Sequence, residues 1–219
     1  MRCDDALKAL LVRHLGGFER LGADPRVHRV AAVAVAVAEE GDGAHLDGIP
    51  APVGWSAEAS LILTRRASAL RNHAGQWALP GDRVDAGESA EQAALRELAE
   101  EVGLELDASS VLGRLDDFVT RSGYVITPVV VWAGAARKLR ANPAEVAGIH
   151  RIPIAEFMRD DAPWLEHEDG SEQPVLRMPV GQTWIAAPTA AVLYQFRELC
   201  IAGRPTRVAH FEQPLFARR

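Results

Sequence analysis

Cysteine is scarce: only Cys3 and Cys200 occur, nearly the whole chain apart. A disulfide-built scaffold is therefore excluded, a reducing compartment is the natural setting, and neither thiol has a Cys or His at zinc-ligand spacing. Long apolar runs are missing too. The longest, Val30 to Ala38, is far shorter than the roughly 20 residues a membrane helix needs. The first apolar piece, Leu10-Leu11-Val12, is interrupted at once by Arg13 and His14, so no secretory leader is expected and a soluble, cytoplasmic chain with no membrane partner is. Positive charge is in deficit. Lys plus Arg number 24 against 30 Asp plus Glu, and a formal net charge of −6 argues against a chain that grips a nucleic-acid backbone. With 48% hydrophobic and 25% charged residues over 219 positions, disorder and coiled coil are also excluded, and one or at most two domains can be built.

What is present is periodic. Leu7, Leu10, Leu11, Leu15, Phe18 and Leu21 recur at spacings of three and four, the stripe of an amphipathic helix, with Gly16-Gly17 as its weak point. An N-terminal helical arm over 1–28 is expected, whole or broken at the glycines. Arg29 to Ala38 alternates Val and Ala, which suits a strand covered on both faces. Glu39 to Ser56 reads as loop, and Ala59 to Arg66 as a strand that delivers two arginines to its own exit. Leu112 to Phe118 and Tyr124 to Ala133 read as strands, followed by Val146 to Ile152, a short helical piece from Ile154 to Met158, and an exposed acidic loop over 160–174. Pro188 opens a terminal helix whose apolar face runs to Gly203. The order implies one mixed α/β domain over 29–203, with the arm before it and a cationic tail at 204–219. The apolar stripes of arm and terminal helix suit a homodimer interface or a cover for the sheet equally.

Ser89 to Val102 consists almost entirely of strong helix formers, and Gly103 stands where a helix ends. On that helix Glu97, Glu100 and Glu101 fall within an arc of about 100°, with Leu95, Leu98 and Val102 opposite. Around it Asp82, Asp85, Glu88, Glu91, Glu97, Glu100, Glu101 and Glu105 meet only Arg83 and Arg96. Most charge runs are solvated surface. Like charges at neighbouring helix positions nevertheless repel by about 0.2–0.5 kcal/mol per pair, which a bound divalent cation would offset. Oxygen ligands without Cys or clustered His point to Mg²⁺ or Mn²⁺.

The spacing Asp82-x5-Glu88-x7-Arg96-Glu97-Leu98-x-Glu100-Glu101-x-Gly103-Leu104 resembles the Nudix box, G-x5-E-x7-R-E-U-x-E-E-x-G-U with U aliphatic. It departs only at the first position, where Asp82 replaces Gly. Just upstream, Ile62-Leu63-Thr64-x-Arg66-Ala67-x3-Arg71-x3-Gly75-x3-Leu79-Pro80-Gly81 resembles the extended motif of Nudix coenzyme A pyrophosphatases, with Ile62, Leu79 and Asp82 as departures. The resemblance implies an α/β/α sandwich with a mixed sheet, here carrying the N-terminal helical arm and C-terminal helix. It implies hydrolysis of the diphosphate in coenzyme A or a derivative, giving 3′,5′-ADP and 4′-phosphopantetheine or its acylated form. Mg²⁺ or Mn²⁺ would be held by Glu97 and Glu101, with Glu100 as further ligand or general base, Glu88 as outer support, and position 82 contributing from the loop. Arg96 would orient the glutamates. Arg65, Arg66, Arg71, His73 and Gly75 would form the substrate side, Arg66 and Arg71 reading phosphates, the 3′-phosphate included. Asp82 is compatible with such a loop because Asp tolerates φ > 0 better than most residues. Trp77 suits core or a wall for the ligand, and Arg121 and Tyr124 suit plain loop or substrate contact.

Two other readings stay open. One is a Nudix hydrolase of another nucleoside diphosphate derivative, such as ADP-ribose, a nucleotide sugar or a damaged dNTP. Val119 and Thr120, however, stand where the marks of ADP-ribose and diadenosine-polyphosphate enzymes belong. The other is a module that binds a nucleotide without turnover, suggested by Asp82. The intact Glu97, Glu100 and Glu101 argue against it.

Overall fold

The computed structural model describes residues 1–69, 73–166 and 173–212. An opening helix α1 (Asp5–Gly16) precedes strands β1 (Arg29–Gly41), β2 (Ser56–Arg66), β3 (Trp77–Ala78) and β4 (Gly81–Arg83). Helix α2 (Ala90–Val102) follows, then β5 (Val111–Arg114), β6 (Phe118–Val119), β7 (Tyr124–Gly134), β8 (Val146–Pro153) and the short α3 (Ile154–Phe157). Strands β9 (Trp164–Glu166), β10 (Val175–Val180) and β11 (Thr183–Ala186) lead into α4 (Thr189–Gln195), which continues as a π-helical turn over Phe196–Ile201.

Eight strands form one mixed sheet. β1 runs parallel to β7 along its length and antiparallel to β4 at its start and β2 at its end. β2 carries β8 on its other edge, and β5 and β6 pair with β7. β1 shows why Val and Ala alternate. Its Ala32, Ala34, Ala36 and Ala38 pack against Ala93, Ala94, Leu98 and Val102 of α2, while Val35 and Val37 face Leu7, Leu11, Leu193 and Phe196 on the other side. Methyl side chains on both strand and helix let α2 lie close to the sheet, as dense interiors require. The layers are therefore helix, sheet and helices, the α/β/α sandwich with a mixed sheet that the resemblance implied.

The helices end where their residues dictate. Asp4 caps α1 by accepting the N–H of Leu7 at 3.0 Å. α2 has a complete capping box, Ser89 with Gln92, and ends on Gly103 at φ 67°. The stripe through Phe18 and Leu21 does not continue as helix: α1 stops at Gly16, and Leu21 is exposed. The chain beyond is held by Arg20, which donates to the Leu115 carbonyl and pairs with Asp117. The stretch 39–56 is not all loop, because β1 extends to Gly41 and β2 begins at Ser56. A three-stranded antiparallel sheet, β9, β10 and β11, was not expected, and the loop reading of 160–174 misses β9. Residues 167–172 of that stretch lie outside the described residues. Among the described residues, no helix is long and apolar enough to cross a membrane.

Candidate active site

The acidic helix turns out to be only partly a solvated surface. Glu97 and Glu101 are 4% and 5% exposed, on the side of α2 that also buries Leu98 and Val102, whereas Glu100 points outward. Arg96 organises the neighbours. Its Nε and Nη2 donate to the two oxygens of Glu88 at 3.0 Å each, and its Nη1 donates to Glu97 Oε1 at 2.5 Å and Glu100 Oε2 at 3.2 Å. Nη2 also reaches the Arg83 carbonyl at 3.1 Å, tying α2 to β4. A planar guanidinium can satisfy three carboxylates at once in this way, where an ammonium could not hold the same forks. The pairing with Arg96 holds the Glu88 carboxyl below its ordinary range.

Glu101 has a different partner set. Its Oε1 accepts the backbone N–H of Gly81 at 3.3 Å. A third carboxylate joins it: Glu97, Glu101 and Glu145 each offer an oxygen within 4.8 Å of the others. Glu145 was absent from the sequence reading. It arrives because Arg140 and Asn142 donate their N–H groups to the carbonyls of Val102 and Glu101, at 2.8 and 2.9 Å, satisfying the free end of α2. The Glu145 carbonyl in turn accepts the N–H of Ala67 at 2.8 Å, beside Arg66. Burial pushes the Glu101 carboxyl up to about 8, helped by the charge of Glu97, while Arg66 and the Gly81 N–H oppose the shift. Glu97 is raised chiefly by burial too, with Arg96 opposing and Asp82 and Glu100 adding repulsion. Three convergent carboxylates, two of them buried and held above their ordinary range, fit a hard divalent cation, which would remove the penalty on the charged forms of Glu97 and Glu101. Glu88 and Glu100 stand apart from the three, held by Arg96.

Asp82 needs no tolerance of positive φ. It lies in extended backbone within β4, opposite Ala32 of β1, and its carboxylate accepts the N–H of Arg83 at 2.8 Å. The residue that has to be glycine is Gly81: a Cβ there would sit 2.2 Å from the Ala32 carbonyl oxygen. The Gly-to-Asp departure therefore falls on a position whose backbone an ordinary residue can adopt.

Beside the acids opens a pocket of about 550 Å³, lined by Arg66, His73, Gly81, Asp82 and Arg83 among others. Arg66 Nε is buried there with no hydrogen-bond partner among the described residues. His73 sits at φ 56° with Nδ1 3.2 Å from Gln76 Oε1. Arg65 and Gly75 line a second pocket of about 300 Å³ that meets the first at Gln76, Trp77, Pro188 and Thr189. Arg65 lies over the Trp77 ring at 3.9 Å and donates to the Gly75 carbonyl at 3.0 Å. Trp77 belongs to the core at 7% exposure and also lines both pockets. Tyr124 lines the larger pocket, whereas Arg121 pairs with Glu212. Arg71 lies outside the described residues.

Comparison with known proteins agrees with this architecture. Residues 53–170 match the NUDIX domain, more than half of the chain. The protein belongs to the Nudix family. It is 36% identical over 152 residues to the uncharacterized Nudix hydrolase NudL of Yersinia enterocolitica, covering 68% of this chain and 78% of that one. To the NudL of Photorhabdus laumondii it is 41% identical over 108 residues, 49% of this chain and 58% of that one. Among solved structures it is similar to the NUDIX domain of Shewanella oneidensis NrtR, determined with ADP ribose, at 20% identity and a TM-score of 0.47, covering 80% of this chain and 92% of that one. The Nudix protein is thus a hydrolase of pyrophosphate bonds in nucleoside diphosphate derivatives, a family that generally uses Mg²⁺ or Mn²⁺.

Proposed function

We propose that this Nudix hydrolase cleaves the diphosphate of coenzyme A or its acyl derivatives, releasing 3′,5′-ADP and 4′-phosphopantetheine or its acylated form. The observation that carries the reading is the adjacency of three carboxylates to a cation-lined pocket through Arg66 and Gly81, two residues of the extended upstream motif. A two-armed substrate also suits two pockets that meet at Trp77. The pyrophosphate would lie where Arg66, whose Nε has no hydrogen-bond partner among the described residues, faces Glu101.

Glu97, Glu101 and Glu145 would hold Mg²⁺ or Mn²⁺, which when bound neutralises phosphate charge and lowers the pKa of water. The chain's own residues divide the remaining work. Arg96 fixes the rotamers of Glu97 and Glu100 and binds Glu88, so the carboxylates are presented without reorganisation. Glu100, exposed and bonded to Arg96, is the group available to take a proton from the attacking water. Arg66 offsets charge on the departing phosphate. The attacking oxygen forms a bond to one phosphorus as the bridging P–O bond breaks, and each product keeps one phosphate of the cleaved diphosphate, the 3′-phosphate staying on the adenosine fragment.

The deciding assay incubates the protein with Mg²⁺ and a panel of coenzyme A, acyl-coenzyme A, ADP-ribose, nucleotide sugars and dNTPs, followed by chromatography. Release of 3′,5′-ADP at a kcat/KM well above that for the other compounds is expected. Preferential release of AMP from ADP-ribose, or no turnover of any diphosphate, would refute the assignment.

A further inference from the structure

One end of the larger pocket is left unused by the diphosphate chemistry. Arg29, Arg83 and Tyr124 come from adjacent strands β1, β4 and β7, with Arg29 opposite Tyr124 and Ala31 opposite Arg83. The Arg29 guanidinium stands 4.1 Å over the Tyr124 ring, and its Nη2 donates to the Ser122 carbonyl at 2.6 Å. Arg83 Nε donates to the Tyr124 hydroxyl oxygen at 3.1 Å. Neither guanidinium has a carboxylate in ion-pair contact among the described residues, and the only acid lining the pocket, Asp82, accepts a backbone N–H. A single exposed arginine is ordinary. Two that converge on one neutral phenol inside a pocket repel each other, and most of their N–H donors remain free. The Tyr124 hydroxyl, already accepting from Arg83, keeps its own proton to donate.

The spacing from the acids is informative. Gly81, which bonds Glu101, and Arg83 are two residues apart on one face of β4, roughly 7 Å along the strand. Arg29 lies one further such step in the same direction along β1, two residues before Ala31. A ribose carrying its diphosphate near Glu101 would extend its far side toward this pair of guanidiniums.

We propose that Arg29, Arg83 and the Tyr124 hydroxyl form a subsite for a phosphate monoester on the substrate's ribose, separate from the diphosphate that is cleaved. The assignment rests on the coenzyme A reading for the identity of that monoester, the 3′-phosphate. It moves recognition of this group from Arg66, whose charge acts on Glu101, to Arg29 and Arg83 farther along the pocket. Bidentate guanidinium contacts suit a phosphate dianion, and the Tyr124 ring holds Arg29 in place before the ligand arrives.

The test measures binding of 3′,5′-ADP and 5′-AMP by calorimetry, and KM and kcat for coenzyme A and 3′-dephospho-coenzyme A. It uses the full chain and the variants Arg29→Gln, Arg83→Gln, both together, and Arg83→Lys. The wild type is expected to prefer 3′,5′-ADP over AMP by about tenfold or more, and each Gln variant to lower that ratio by about tenfold. The loss should fall on KM for coenzyme A more than on kcat, with Arg83→Lys recovering part of it. Because each ratio is taken within one variant, a general folding defect cancels. An unchanged ratio in the double variant, or a wild type that does not distinguish the two nucleotides, would overturn the subsite. If coenzyme A proves not to be a substrate, the reading of function fails by itself, and the ratio of 3′,5′-ADP to AMP binding still decides the subsite.

Discussion

Gly81 donates its N–H to Glu101 at 3.3 Å from a position that has no room for a side chain. Its φ of 157° is one that L residues rarely adopt, and contact forbids a side chain as well: an added Cβ would meet the Ala32 carbonyl at 2.2 Å and Val33 Cα at 2.6 Å. Backbone cannot yield as a flexible side chain does. Gly81→Ala should therefore push β4 off β1, at a cost of about 1–3 kcal/mol, and withdraw the donor from Glu101. Thermal unfolding should show that loss, and activity should fall further than stability does. A variant with wild-type Tm and rate would show that the two strands are not so tightly joined.

Glu97→Gln and Glu101→Gln separate the site from the scaffold. Each replaces a carboxylate whose charged form burial disfavours with a neutral group of nearly the same shape. Loss of an anionic ligand should reduce turnover by two or more orders of magnitude, on the order of 3 kcal/mol of transition-state stabilisation. Metal-free stability at pH 8 should hold or rise, because the amide carries no charge to desolvate. Mg²⁺ titration followed by calorimetry, alongside unfolding curves, reads both effects. Near-normal rates in both variants would contradict a metal role for these residues.

How far residues alone led can be judged from the same helix. Ser89, Gln92 and Gly103 are local signals, and they place α2 because a cap needs only its own turn. The alternation in β1 revealed two covered faces because its period of two is written in consecutive positions. Which face met α2 was not legible, since that depends on the partner. The motif spacing singles out Glu97 and Glu101 as metal ligands, but their burial was not legible, because it depends on the sheet beneath them. Glu145 was invisible for another reason: nothing around Asn142-Pro143-Ala144 marks it, and it reaches the site through the bonds that Arg140 and Asn142 make to Val102 and Glu101 at the end of α2, far apart in sequence. Arg29 and Arg83 likewise gain meaning from strand register, which no local pattern encodes. β9 escaped notice because three residues are too few to show a period.

Glu145→Gln tests the residue that the fold alone reveals. Glu145 is exposed and sits on a loop, so its replacement should leave Tm nearly unchanged, within about 0.5 kcal/mol. Cation affinity should nevertheless weaken by about 10- to 100-fold, the scale at which even supporting groups around a metal act. Activity should return partly at raised Mg²⁺, which distinguishes a lost ligand from a lost base. If the Mg²⁺ dependence of the rate is unaltered, Glu145 does not contribute to the cation site.

The pH dependence of stability follows from the same carboxylates. Glu101 is raised to about 8 against an ordinary 4.5, and Glu97 is raised as well, so between these values the metal-free folded chain binds more protons than the unfolded chain. Unfolding free energy changes with pH as the protons bound unfolded minus those bound folded, which is negative here. Stability of the metal-free protein should therefore decline as pH rises from about 5 to about 8 and level off above it, by up to a few kcal/mol. Saturating Mg²⁺ should flatten the decline, because a cation bound to the ionised glutamates favours the folded state most where protons have already left. The expected signature is a gain in Tm on adding Mg²⁺ that grows from pH 6 to pH 8.5 and shrinks in Glu101→Gln. A gain that is constant across this range would mean that Glu101 already ionises freely without the cation.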